Sequence, residues 1–314
     1  MAKLQSTEIV GVANRPATIC SNSVCMWFDT TNTKIVFSYC GYSGAGTWSA
    51  GGALATARYS AAGAGTQNAG LASGGRNAAT LSCTEEYNGT SWSAGGAMIT
   101  ARRFLTGAGT QNSGLVAGGY DAASALSCTE EYNGTSWSAG GAMITGRCFL
   151  AGAGTQNEGL AMGGIGPLSC TEEYNGTSWS AGGALITARQ ALAGAGTQNE
   201  GLVAGGVNLS CKEEYNGTSW SAGGALITGR YGSSGAGTQN AGLVAGGYIN
   251  AHLSCTEEYN GTSWSLGGAL ITVTHYSAGA GTQNAGLAAG GQSILVVSCT
   301  EEYNKPIVII DTIK

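Results

Sequence analysis

The sequence predicts an all-β fold: a six-bladed β-propeller with four antiparallel strands per blade, closed by an N-terminal strand. Three observations predict it. The chain repeats itself, with Gly-Thr-Gln-Asn beginning at Gly65, Gly109, Gly154, Gly196, Gly237 and Gly281. Cys-x-Glu-Glu-Tyr-Asn begins at Cys83, Cys128, Cys170, Cys211, Cys255 and Cys299, and Trp-Ser-x-Gly-Gly at Trp48, Trp92, Trp137, Trp179, Trp220 and Trp264, so the period is 41 to 45 residues. Second, glycine (55 of 314 residues) interrupts every unit, so no helical i, i+3, i+4 spacing survives and only strand-length pieces remain. Third, the units carry hairpin turns, Thr-Gln-Asn in all six and Asn-Gly in five.

Taken in order, a unit reads as four strands. In the second unit, strand a is expected over 104–109, strand b over 114–117 up to Gly118-Gly119, strand c over 127–132 and strand d over 136–144. Four antiparallel strands in about 44 residues is the signature of a propeller blade. The chain is offset against its repeat. It opens with a lone strand d (47–55) and ends with strands a, b and c (275–304). Six complete blades result only if the two ends pair, which also removes an open sheet edge. The expected organisation is a hairpin and attachment arm at 1–46, the propeller at 47–304 and a tail strand at 305–314. In a rival register the tail at 307–313 is the sixth strand d, and Val24–Phe28 and Lys34–Tyr39 join 47–55 in a seventh blade. Thr31-Asn32 marks the turn of the N-terminal hairpin.

An apolar strand ending in Gly-Gly, then Tyr, then Trp five residues later, then an Arg opening the next unit, resembles the kelch repeat. In the second unit these residues are Gly118-Gly119, Tyr132, Trp137 and Arg147, and the match covers about residues 47–304. The resemblance implies a propeller acting as a binding platform, with enzymes a minority. The wording of the units also resembles kelch-like proteins of bacteriophages, marine ones especially. Met26-Trp27-Phe28-Asp29-Thr30-Thr31 resembles small hairpin modules of phage fibre proteins.

Composition excludes several classes. No Gly-X-Y repeat runs through the chain, so collagen is out, and 7 Trp with 13 Tyr argue against a disordered linker. The net charge of −5, without blocks of like charge, lacks the footprint of a nucleic-acid-binding protein. Apolar runs such as 307–310 are too short to insert in a membrane as a helix. No secretory pattern is readable in the first 30 residues.

The repeated polar residues read as structure. Arg58, Arg102, Arg147, Arg189 and Arg230 open units and Thr274 takes that place in the sixth; 12 of the 18 acids form Glu pairs at 85–86, 130–131, 172–173, 213–214, 257–258 and 301–302. Paired carboxylates can perform acid–base chemistry. Six equivalent copies argue for structure instead, because a reaction centre needs different groups in different roles. Alternation sends the two members to opposite sheet faces, and at least one per blade is expected to bond backbone or Arg between blades. The repeat cysteines are expected to be small buried apolar residues, and a Cys20–Cys25 bridge is conceivable. No Cys-x-x-Cys exists and the only histidines are His252 and His275, so no metal, cofactor or catalytic residue is expected. Gly-Thr-Gln-Asn is assigned to hairpin turns rather than to phosphate binding, and the five Asn-Gly-Thr sequons to turn chemistry.

Differences among the units point to function. From repeat Cys to the next Gly-Thr-Gln-Asn threonine is always 27 residues, whereas from threonine to the following Cys the distances are 17, 18, 15, 14, 17 and 17. Length varies only around strand b and the b–c loop, and substitutions gather just after the Arg position. Antiparallel order puts the b–c loops and d–a connections on one face of the disc, and the a–b and c–d turns on the other. The varied face carries Arg76, Asn77, Arg103, Phe104, Tyr120, Asp121, Asn208, Tyr231, Tyr248, Asn250, His252, His275 and Tyr276, the expected partner-binding residues. The bland alternative is that unconstrained loops drifted.

The expected function is that of a non-enzymatic bacteriophage virion protein in a tail fibre or similar appendage. Its partners would be other virion proteins or a host-surface glycan or receptor, with a homo-oligomer possible within the virion and neither nucleic acid nor membrane insertion involved. The alternative is a cellular lectin-like or peptide-binding kelch module. An oxidase of the copper-dependent kelch type would need more histidine than the chain has.

Overall fold

A computed structural model of the chain describes the backbone at 20–21, 24–29, 34–42 and 44–313, and side chains over 44–306. The chain divides into two compact units, one of Met1–Ala45 with Lys305–Lys314, the other Gly46–Asn304.

The larger unit is a propeller of six four-stranded antiparallel sheets. Blades 1 to 5 occupy 62–94, 106–139, 151–181, 193–223 and 234–266; blade 6 joins three strands within 278–304 to Thr47–Ala50. Closure follows the expected register, with Tyr303 opposite Trp48 and Asn304 opposite Thr47. Trp48 is buried against Tyr303 at 5.0 Å between ring centroids, and its indole N–H donates to Thr256 Oγ1 of blade 5 at 2.9 Å.

Three strands are shorter than expected, strand c of blade 2 beginning at Thr129 rather than 127. In blade 2, strand a begins at Thr106 rather than 104, because Phe104 takes a left-handed φ of 54° that no strand tolerates. Strand d is Trp137–Ala139 rather than 136–144, and Thr47–Ala50 rather than 47–55. Gly140-Gly141 ends it. A Cβ on Gly141 would collide with the Thr177 carbonyl of the next blade, so glycine is what lets the chain pass there.

The core is a ring of interblade layers. Ala62, Ala64 and Leu71 of blade 1 pack on Val116, Tyr132 and Trp137 of blade 2, together with Met98 and Leu105 of the connection between them. Small residues on the inner strands let the sheets approach one another, and the Tyr–Trp pairs fill the wider outer part.

Several of the repeated polar residues tie one blade to its neighbour. The turn glutamine of blade 2, Gln111, donates to the carbonyls of Gly70 and Tyr87 in blade 1 at 3.1 and 2.7 Å. Gln67 does the same to Gly286 and Tyr303 across the closing seam. The Trp137 indole donates to Thr84 Oγ1 at 3.0 Å. The two glutamates of a pair serve opposite faces. Glu130 is buried, accepts from the Ile99 and Thr100 N–H groups of the preceding connection and from Arg102 Nη2 at 2.6 Å. Glu131 accepts from the Tyr174 hydroxyl of blade 3 at 2.5 Å. Burial, then this bond to a carboxylate, pushes Tyr174 up to about 12.

The repeat cysteines correct an expectation. They are half-buried, not buried, and all six are free thiols. In blades 1 to 4 the sulfur accepts from the guanidinium, as from Arg102 Nη1 to Cys128 Sγ at 2.9 Å. Cysteine here serves as an acceptor in the Arg site rather than as apolar filling.

The smaller unit is a four-stranded sheet ordered Cys20–Ser21, Val24–Asp29, Lys34–Tyr42, Ile307–Ile313. The expected hairpin is present, paired from Val24↔Tyr39 to Asp29↔Lys34. Its turn at Thr31-Asn32 lies outside the described residues, as do the side chains of Cys20 and Cys25. The tail strand pairs with Lys34–Tyr42, from Val36↔Ile313 to Tyr42↔Ile307. It is therefore not a propeller strand, and the seven-blade register is excluded.

Candidate functional site

The b–c loops and d–a connections meet as expected. Isolated bridges join Tyr59 to Arg76, Arg103 to Tyr120, Leu168 to Arg189, Tyr231 to Tyr248 and His275 to Gln292. Length variation and residue variation thus converge on one face.

At its centre a closed circle of backbone hydrogen bonds runs around the axis. Phe104 N–H donates to Ser60 O, Phe149 to Phe104, Ala191 to Phe149, Gly232 to Ala191, Tyr276 to Gly232 and Ser60 to Tyr276, all between 2.6 and 2.9 Å. All six residues are left-handed, with φ between 54 and 63°. Five of them are not glycine, and a left-handed residue costs on the order of 1 kcal/mol or more. The circle offsets that cost by pairing six N–H groups that strand geometry would leave aimed at the axis.

Side chains on this circle form a lopsided mouth. Phe104 and Phe149 stack at 3.7 Å, and Tyr276 sets its edge against both at 5.3 and 5.9 Å. Ser60, Ala191 and Gly232 leave the remaining wall low, and the hollow is shallow and open to solvent. Burial, then the neighbouring Tyr231, pushes the Tyr276 hydroxyl far above its usual range.

A second cluster adjoins the mouth on blades 5 and 6. Tyr231 bridges to Tyr276 at 6.3 Å and to Tyr248 at 5.5 Å. His252 and His275 meet edge to face at 4.8 Å, and Tyr248 contacts both. His275 Nδ1 lies 2.8 Å from the Gln292 carbonyl. Burial lowers its pKa, the Gln292 contact opposes this, and His252 lowers it further. His252 Nδ1 is buried with no hydrogen-bond partner. Across the mouth, the Arg103 guanidinium lies 5.2 Å from the Tyr120 ring centroid and 5.8 Å from that of Phe104.

The predicted site residues therefore fall into two kinds. Arg103, Phe104, Tyr120, Tyr231, Tyr248, His252, His275 and Tyr276 form connected aromatic and cationic surface, and Arg76 joins Tyr59 on the rim. Asn77, Asp121, Asn208 and Asn250 shape their loops. Asn77 Oδ1 accepts from Ala79 N–H at 3.1 Å, and Asp121 Oδ1 from Ala123 and Ser124 at 2.8 and 2.9 Å. Those backbone bonds, Ser124 first, hold the Asp121 carboxyl below its ordinary value. Asn208 and Asn250 are left-handed turn residues.

Sequence reasoning missed two features. One is the axial circle: Phe149 stands in the mouth beside Phe104, and the position two residues after each Arg could have signalled it. The other is a crown of exposed isoleucines. Ile99, Ile144, Ile186, Ile227 and Ile271, one on each of five connections, are 56 to 64% exposed. Among the described residues no group of three or more His, Cys, Asp or Glu could hold a metal ion.

No family model matches the chain, and no curated protein matches it. Among solved structures the chain is similar to YjhT, with a TM-score of 0.68 and 12% identity over 82% of this chain and 99% of that one. At that identity the likeness is one of fold, and it agrees with the six-bladed propeller derived from the repeat.

Proposed function

We propose that the chain is a non-enzymatic structural protein of a bacteriophage virion, in a tail fibre or similar appendage, using its propeller as a rigid disc. The loop face meets a partner: another virion protein, or a glycan or receptor on the host surface. The smaller unit, with the hairpin, is the attachment arm. One observation carries this reading. Most residues that differ among blades, with the half-buried aromatic, Arg and His side chains, gather on one face, while the other face repeats nearly the same turns, varied chiefly by Glu158 and Glu200. Rigid scaffolds present binding residues on such loops. The kelch-like pattern and phage-like wording of the repeat supply the virion setting. The non-enzymatic reading is supported by the glutamates, whose carboxylates are engaged by backbone, Arg, Lys or Tyr in all six blades.

Mass spectrometry of purified virions should find the chain. Replacing Arg76, Tyr120 and Tyr248 together with Ala should abolish binding to virion proteins or host cells while lowering Tm by only a few degrees. Unaltered binding would remove the loop face from the reading. Absence from virions, with glycan-array binding by the isolated protein, would favour the cellular lectin-like module.

A further inference from the structure

Among the described residues, ten of the eleven exposed large hydrophobic side chains lie at one end of the blades. Six are on d–a connections: Ile99, Ile144, Ile186, Ile227, Ile271 and Val273. Four are in b–c loops: Ile165, Ile249, Ile294 and Leu295. The eleventh, Leu266, is on a strand d. The a–b and c–d turns at the other end carry none. Each crown isoleucine is fixed in place from below, because its N–H donates to a buried glutamate Oε2 at 2.7 Å. Only Ala55 interrupts the crown, and its N–H makes the same bond. No packing need explains these side chains, since they project from the fold. Exposed apolar side chains gathered at one end of a molecule in this way mark a contact with another apolar surface.

We propose that this face pairs with the same face of a second copy of the chain, the two discs stacking crown to crown about a two-fold axis perpendicular to the propeller axis. Three observations select that occupant. A single-patch partner would use one or two isoleucines, whereas a partner that covers the crown must itself carry a ring of apolar sites at blade spacing, and this chain carries one. The two-fold relation makes the face its own complement, as isologous contacts require. Second, the connections and b–c loops carry only three formal charges outside the buried Arg sites, Arg76, Arg103 and Asp121, so like charge does not hold two such faces apart. Third, the chain enters and leaves the ring at Thr47 and Asn304, a pair at the c–d-turn end of blade 6, opposite the crown. This proposal rests on the loop face being a protein-binding surface, and it names the protein.

The test is sedimentation velocity of the full chain over a concentration series. The wild type should sediment as a dimer at high concentration. The triple variant Ile99→Lys, Ile186→Lys, Ile271→Lys changes exposed side chains on alternate connections. It should raise the dimer dissociation constant at least about 100-fold, with Tm unchanged at concentrations where the wild type is itself monomeric. The triple Ile→Ser variant at the same positions should weaken the dimer in the same direction. A wild type that stays monomeric at every concentration overturns the proposal. So does a triple-Lys variant that remains dimeric, which would place the contact elsewhere. A monomer that instead binds phosphatidylcholine vesicles through these isoleucines overturns it as well. Detection of the chain in virions is a separate measurement, so a failed dimer leaves the virion reading standing.

Discussion

The closing blade and its five siblings solve the same problem differently. In blades 1 to 5 a buried arginine sits between strand-end carbonyls and a buried glutamate. Arg147, for example, donates to Gly163 O, Cys170 O and Glu172 Oε1 at 3.0, 2.7 and 3.1 Å. In blade 6 Thr274 replaces the arginine, yet Glu301 keeps its place, accepting from Ile271 and Thr272 N–H at 2.7 and 2.8 Å. Two backbone donors thus hold the carboxylate, and the guanidinium adds a clamp on the b–c loop. The seam without that clamp is the one beside His252, His275 and Tyr276, where the loop face departs furthest from the repeat. The comparison teaches that the clamp stiffens a blade without defining it.

The largest expected effect comes from opening the closing blade. Deleting residues 1–56 removes Trp48 and the outer strand of blade 6, exposing a sheet edge along Thr300–Asn304. The product should scatter light and lose its cooperative melt. A soluble chain that still melts in one transition would show that closure is not what holds the ring.

The next contrast lies between the two kinds of glutamate site. Arg147→Ala leaves Glu172 buried without its counter-charge and should cost about 3–5 kcal/mol. Glu301→Gln, in the blade that has no arginine to orphan, should cost about 1 kcal/mol. Urea melts with unchanged m values would measure both. Equal losses would mean the two sites are equivalent despite Thr274.

Much of this was legible in the sequence. The period gave blade count and strand order, and the offset of the lone Trp48 segment gave the closing pair, since glycine spacing leaves no other regular structure. The paired faces of the Glu-Glu dipeptides followed from strand alternation. The axial circle was not legible, because left-handed φ at Phe104, Phe149 and Tyr276 is imposed by neighbouring blades rather than by local preference. The cysteine role was missed for a similar reason, since only the fold brings Cys128 to Arg102. The isoleucine crown was hidden because Met-Ile and Leu-Ile read as core until one side chain is seen to point outward.

Lys212 offers a subtler break in symmetry. Other blades place Thr there, and its hydroxyl accepts the indole N–H of the next blade, as Thr171 does from Trp220 at 3.1 Å. Lys212 is buried instead, its ammonium bonded to Glu214 Oε1 and the Tyr259 hydroxyl, both at 2.5 Å, leaving Trp264 to donate to Gly224 O. Burial lowers the lysine pKa, with Glu214 opposing. The unfolded chain therefore binds the proton more tightly, so wild-type stability rises as pH climbs through the window below 10.5. Lys212→Thr should raise stability by about 1 kcal/mol at neutral pH, with an advantage that shrinks as the pH climbs toward 10.5. A loss of stability would show that the ammonium is a net tie between blades 4 and 5.

The smallest effect is expected at His275, on the unclamped seam. Its pKa is lowered, chiefly by burial, so the unfolded state takes up the proton first. Stability should be level above the ordinary histidine value of 6.5 and fall as the pH drops below it. His275→Gln keeps a polar group near the Gln292 carbonyl without a titrating ring and should flatten that fall. Thermal melts from pH 8 to pH 5 would measure it, with Arg230→Gln melted alongside to show how much acid sensitivity the carboxylates contribute. An unchanged slope in His275→Gln would assign the acid response to the glutamates that all six blades share, and would remove the last difference in behaviour attributed to this seam.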